Sequence, residues 1–141
     1  MDESTRVMLN RCVMMFPTIV VKDDIRRCWE SDTLELTIEM FDGSAYRYDY
    51  LYNTIEYGES VESFNEIPVN EKEWQAQFSR RLLRTMTLKG YSQNRFAWQL
   101  DISVGALSNY VNGVRSPSAY LLIKMADLLE VPLDYLTGYK R

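Results

Sequence analysis

The chain has 141 residues, 46% of them hydrophobic and 26% charged, with a net charge of −4, which is apolar material for one medium or two small packed domains. No run approaches the roughly 18 to 20 consecutive apolar residues that span a bilayer, and the start, MDESTRV, lacks a basic segment followed by an apolar one, so the expected location is cytoplasmic, without membrane contact. The absence of histidine removes Ser/His/Asp and Cys/His nucleophile systems, and Cys12 and Cys28 are too few for a zinc site; reduced buried thiols, no enzyme activity and no cofactor or metal are expected.

In chain order, Val7 to Phe16 is expected to form a short helix, and Pro17 to Lys22 (PTIVVK), rich in β-branched residues, a strand; Ile25 to Trp29 reads as another. Leu34, Leu36, Ile38 and Met40 then alternate with Glu35, Thr37 and Glu39, and beyond Asp42-Gly43 the row Tyr46, Tyr48, Tyr50 alternates with Arg47 and Asp49. This is a β-hairpin pattern. A two-residue Asp-Gly loop would set Ile38 opposite Arg47 and mix the faces. Partners across an antiparallel pair share a face, so a three-residue loop with Gly43 in a bulge is expected, joining the Leu/Ile/Met row to the Tyr row. Residues 52–69, acidic and weakly periodic, are read as the connection between an acidic α+β domain, 1–69, and a second domain, 70–141.

The second domain reads as five short helices. Asn70 and Glu73 form a capping box ahead of Trp74, Phe78, Leu82 and Met86, a stripe at four-residue spacing that belongs in a core. Ser92 caps a helix over Gln93 to Leu100 whose apolar stripe is Phe96, Ala97, Leu100; Trp98 falls outside that stripe and should point outward. After Asp101-Ile102, Ser103 caps again, and a helix from Val104 buries Leu107 with Tyr110 or Val111 and stops at Gly113. Ser103, Val104, Ala106, Ser108, Asn109 and Asn112 are left outward. Two helices joined so tightly form a helix-turn-helix.

At these residues the chain resembles the Cro/lambda-repressor-like (XRE) helix-turn-helix family, over about half its length. The resemblance rests on Ser92-Gln93, Ala97, Leu107 and Asn112-Gly113, on Ser116-Pro117 opening a helix with Ile123, Ala126 and Leu129, and on the closing Val131 to Gly138. One departure is Asp101, where such turns often carry glycine; Asp can visit the left-handed region, with strain. The fold implied is α+β: a small antiparallel sheet domain followed by a five-helix lambda-repressor-like DNA-binding domain.

The resemblance also implies double-stranded DNA as partner, read by the helix from Val104 in the major groove. Ser92 and Gln93 would hold a phosphate, Asn109 a base edge, Ser103 and Ser108 bases or phosphates, Val104 or Ala106 a thymine methyl, and Asn112 and Arg115 the flanking phosphates. Phe78 to Arg141 holds nine basic and four acidic residues, net +5, whereas residues 1–77 hold seven and sixteen, net −9; a basic module sits inside an acidic chain. The expected function is a sequence-specific transcriptional regulator of the phage or mobile-element repressor type. It would bind as a homodimer through Tyr135, Leu136 and Tyr139 or through the sheet, with a protein or effector engaging the acidic half. Two other readings stand beside it: an anti-CRISPR-type inhibitor whose helix-turn-helix represses its own gene, and an antitoxin-like interaction module.

Overall fold

Asp2 opens the first helix by accepting a hydrogen bond from the Thr5 amide at 2.7 Å, so α1 runs over Glu3–Met15, earlier and longer than the apolar pattern alone suggested. This computed structural model describes residues 1–139. The chain divides into two compact units, Met1–Glu66 and Ile67–Arg141.

In the first unit a four-stranded antiparallel sheet is ordered β1 (Ile25–Asp32), β2 (Glu35–Met40), β3 (Ala45–Asp49), β4 (Thr54–Gly58). The central hairpin has the expected register: Leu36 pairs with Tyr48 and Ile38 with Tyr46, while Thr37 faces Arg47. Its loop is Phe41-Asp42-Gly43, closed by Met40 and Ser44, with Gly43 at φ +92°. Leu36, Ile38, Met40 and Tyr48 are buried with Met8, Leu9, Cys12 and Val20, and each large side chain so buried contributes roughly 1.5–3 kcal/mol. The Tyr48 hydroxyl donates to Asn53 at 2.7 Å, leaving no orphan phenol in the core.

Three expectations fail here. PTIVVK is not a strand: it begins as a turn whose Val20 amide bonds back to Phe16, and its last residue opens a 3-10 segment, Lys22–Asp24. Leu34 is not in the alternating strand but in the two-residue turn between β1 and β2, at φ +56°. The region read as a connection contains β4, paired along β3, and a 3-10 turn, Glu62–Asn65. That turn lays Phe64 on the Arg47 guanidinium at 4.6 Å.

The second unit holds five helices: α2 (Glu71–Leu88), α3 (Gln93–Leu100), α4 (Val104–Val111), α5 (Ala119–Leu129) and α6 (Leu133–Thr137). Phe78, Leu82 and Met86 from the predicted stripe are buried with Phe96, Leu100, Leu107, Met125 and Leu129, and Trp74 stacks on Phe78 at 4.8 Å. Asn70 accepts from the Glu73 amide at 2.9 Å; the Glu73 carboxylate reaches back to the Val69 amide rather than to Asn70 itself. Ile123, counted with the apolar pattern of its helix, is 56% exposed, because α5 turns Met125, Ala126 and Leu129 inward instead. Leu136 is fully buried in this core and cannot serve a dimer surface.

Candidate nucleic-acid interface

Two helices of eight residues can meet at a fixed angle only if the chain between them has no slack. The end of α3 supplies this condition. The Asp101 amide bonds to the Trp98 carbonyl and the Ile102 amide to Ala97, both at 3.1 Å, which closes a Schellman motif with Asp101 left-handed at φ 59°, ψ 44°. Ile102 then packs into the core, and Ser103 starts α4 at once, accepting from the Ala106 amide at 3.0 Å. Ser92 does the same for α3, accepting from the Arg95 amide at 3.2 Å. Two of the three serine oxygens expected at DNA, those of Ser92 and Ser103, therefore already accept one backbone bond, but each hydroxyl hydrogen can still be donated.

On α4, Leu107, Tyr110 and Val111 are buried, so both candidates for the last inward position are used. Ser103, Val104, Gly105 and Asn112 are exposed, whereas Ala106, Ser108 and Asn109 are half-buried rather than fully outward. Asn112 donates to the Ser108 hydroxyl at 3.0 Å, a side-chain pair one turn apart along the helix. Ser92 and Gln93 are exposed at the start of α3, where its free amide groups and positive dipole end lie. Gly105 stands in open space: a Cβ there would find only the Ser103 hydroxyl, at 3.9 Å.

The loop after α4 is built with equal economy. Gly113, at φ +72°, closes a second Schellman motif through Gly113 to Tyr110 and Val114 to Asn109 amide–carbonyl bonds. Its missing side chain lets the backbone lie on α2: a Cβ would come to 3.3 Å from the Ser79 hydroxyl and 3.4 Å from the Gln75 carbonyl. Arg115 follows, exposed.

The cations counted in the sequence are not equivalent. Arg80, Lys89, Arg95 and Arg115 are exposed; Arg84 is buried, Arg81 donates to the Leu136 carbonyl, and Lys124 donates to the Leu100 carbonyl. Lys140 and Arg141 lie outside the described residues. Part of the +5 balance thus supports the fold and not the surface. Trp98 is 80% exposed, as its place off the apolar stripe predicts. Among the described residues no group of three or more metal-ligating side chains clusters, and no helix is long and apolar enough to cross a membrane. Cys12 and Cys28 are free thiols, Cys12 buried and Cys28 half-buried.

This geometry can be set beside known proteins. Residues 81–136 match the family described as helix-turn-helix. Over 59 residues the chain is 41% identical to an uncharacterised HTH-type transcriptional regulator, YazB, of Bacillus subtilis (strain 168), which spans 42% of this chain and 86% of that protein. The chain belongs to the helix-turn-helix family. A second relative from the same organism, the HTH-type transcriptional regulator ImmR, is 37% identical over 59 residues, 42% of this chain but only 46% of its own length. The family match begins inside α2 and leaves residues 1–80, with the whole sheet unit, outside it. What sequence reasoning missed around the helix-turn-helix are the Lys124 bond to Leu100 and the bonds from α2 to Ser116, which link residues 24 and 41 or more positions apart and carry no local signature.

Proposed function

We propose that this chain is a sequence-specific DNA-binding transcriptional regulator, a repressor of the phage or mobile-element type that acts as a dimer. The observation that carries the reading is α4 itself: an eight-residue helix with its inner side locked by Leu107, Tyr110 and Val111 and its other side offering Ser103, Val104, Ser108, Asn109 and Asn112. A helix so held and so decorated suits a major groove. Gln93 at the start of α3 and Arg115 beyond α4 stand at either end of the pair, where phosphates would fix its register. The likeness to YazB and ImmR, both named as HTH-type transcriptional regulators, supports this reading.

Direct readout is sparse in this proposal, since α4 carries no Arg, Lys or Gln. Selectivity then comes in part from DNA shape and from the spacing of two half-sites, which is the reason for proposing a dimer. Tyr135 and Tyr139, or the sheet unit, are the remaining candidates for its interface, and residues 1–69 form the domain that a protein or effector would engage. The test is a titration of the full chain against DNA from upstream of its own coding sequence, repeated across salt, with a shuffled duplex as control. Preference for the native duplex with an affinity that falls with salt supports the reading. Equal binding to both duplexes, or none at low salt, removes it.

A further inference from the structure

Arg115 is held by a segment fastened at both ends to α2. On one side lies Gly113, whose backbone rests on Gln75, Ala76 and Ser79. On the other is Ser116, half-buried, whose hydroxyl oxygen accepts from the Gln75 side-chain amide at 2.9 Å and donates to a Glu71 carboxylate oxygen at 3.0 Å. A hydroxyl has one hydrogen to donate and lone pairs to accept with, and here it uses both functions at once. Its orientation is therefore fixed from two sides by residues one helical turn apart. Buried Pro117 follows and restricts the backbone beyond it. Between the two fastenings stand only Val114 and Arg115, both exposed, with the Arg115 amide bonded at 3.3 Å to the same Asn109 carbonyl that receives Val114.

We infer that Glu71, Gln75 and Ser116 form a positioning relay, in which α2 presents the Arg115 guanidinium to a DNA phosphate in fixed register with α4. The inference rests on the DNA-binding reading above. None of the three needs to touch DNA. A free loop would have to be ordered when the phosphate is engaged, and that entropy would be lost from affinity; the relay orders it in advance. The carboxylate of Glu71 serves as the acceptor that orients the Ser116 hydroxyl.

The full chain and a mixed-sequence duplex of about 30 base pairs suffice for the test, because phosphate contacts are independent of sequence. Gln75→Ala, which removes one hydrogen bond of the relay, should weaken binding about threefold to tenfold, and Ser116→Ala, which removes both, at least as much. Each should flatten the salt dependence by up to about one phosphate contact, and Ser116→Thr should restore both. The decisive comparison is the cycle with Arg115→Ala: once Arg115 is gone, removing Ser116 should cost nothing more. Additive losses, or wild-type salt dependence in the folded single variants, overturn the relay while leaving the DNA-binding reading intact. If Ser116→Ala does not fold, Gln75→Ala decides alone, since alanine suits that helical position. Absence of salt-dependent binding by the wild-type chain overturns the functional reading and the relay with it.

Discussion

Lys124 on α5 donates its ammonium to the carbonyl of Leu100, the last residue of α3, at 3.2 Å. The bond satisfies one of the carbonyls that a helix end leaves open and places a cation at the negative end of the dipole, immediately before the turn that aims α4. It joins the helix-turn-helix to the helix that follows it. Lys124→Met keeps the aliphatic stem but removes the charge, and is expected to lower stability by about 1 kcal/mol, with Lys124→Arg intermediate. Thermal unfolding of the three proteins in one buffer checks this; equal midpoints would show the contact to be energetically idle.

Asp101 and Glu130 both occupy left-handed conformations, φ 59° and 56°, at helix ends where Gly90 and Gly113 serve the same purpose elsewhere in the unit. An L side chain in that region costs about 1 kcal/mol, and a carboxylate at a helix C-terminus is further disfavoured by the dipole. Asp101→Gly and Glu130→Gly should each raise stability by about 1 kcal/mol, less a few tenths for the looser unfolded chain. Urea unfolding at constant slope is the measurement. A loss of stability in either variant would mean that the carboxylate makes a contact worth more than the strain.

The sheet unit contains a tighter glycine. A Cβ on Gly58 would collide with the Ser63 hydroxyl and lie 2.8 Å from the Phe64 ring, so the turn that seats Phe64 on Arg47 depends on the bare backbone of β4. Gly58→Ala is expected to cost about 1–3 kcal/mol through overpacking. In a Phe64→Ala background the same change should cost less, because part of the obstruction has been removed. Identical costs in the two backgrounds would place the strain elsewhere.

The hairpin register was legible because it is a parity problem: only an odd loop lets Leu36 and Ile38 share a face with Tyr48 and Tyr46, and the fold obeys. The helix starts were legible because Ser92, Ser103 and Asn70 each solve a local shortage of acceptors. Strand β4 was not, since as a short edge strand it leaves Thr54 and Tyr57 exposed and shows little alternation; pairing with β3 creates it. PTIVVK misled in the opposite sense, as its β-branched residues suit a strand that has no neighbour to pair with, and Val20 enters the core from a turn. On α4 the buried positions Leu107, Tyr110 and Val111 follow helical period, whereas Ala106, Ser108 and Asn109 are half-buried instead of fully outward, and which cations remain at the surface is decided by tertiary bonds such as Arg81 to Leu136.

Burial of Cys12 between α1 and the sheet pushes its thiol up to about 12 from 9.0, and burial raises Cys28 in the same direction. The fold thus favours the neutral thiol. Its contribution to stability is complete below the unfolded value of 9.0 and declines as the pH rises from there towards about 12. At neutral pH the native chain should react slowly with iodoacetamide at both positions and rapidly once denatured, because the thiolate is the nucleophile. Mass spectrometry over a time course resolves this; fast native labelling of Cys12 would show that α1 opens readily from the sheet.

Asn109 carries the base-reading proposal more heavily than any other residue, because it is the one side-chain amide on α4, with separate donor and acceptor atoms that can pair bidentately along a base edge. It is half-buried, its own carbonyl is tied to Val114 and Arg115, and the helix around it is locked, so the side chain would be presented with little freedom to lose. Asn109→Ala preserves helix propensity and should reduce discrimination at one base pair of each half-site by about 1–3 kcal/mol, while leaving the salt dependence almost unchanged. Arg115→Ala should do the converse, weakening binding to all sequences alike and reducing the salt slope by about 1. Selection from a randomised duplex library, followed by titration of the selected sites, separates the two. If Asn109→Ala selects the same sites with the same stringency, the reader of this interface is Val104 with the Ser103 and Ser108 hydroxyls, and recognition is dominated by the shape of the groove.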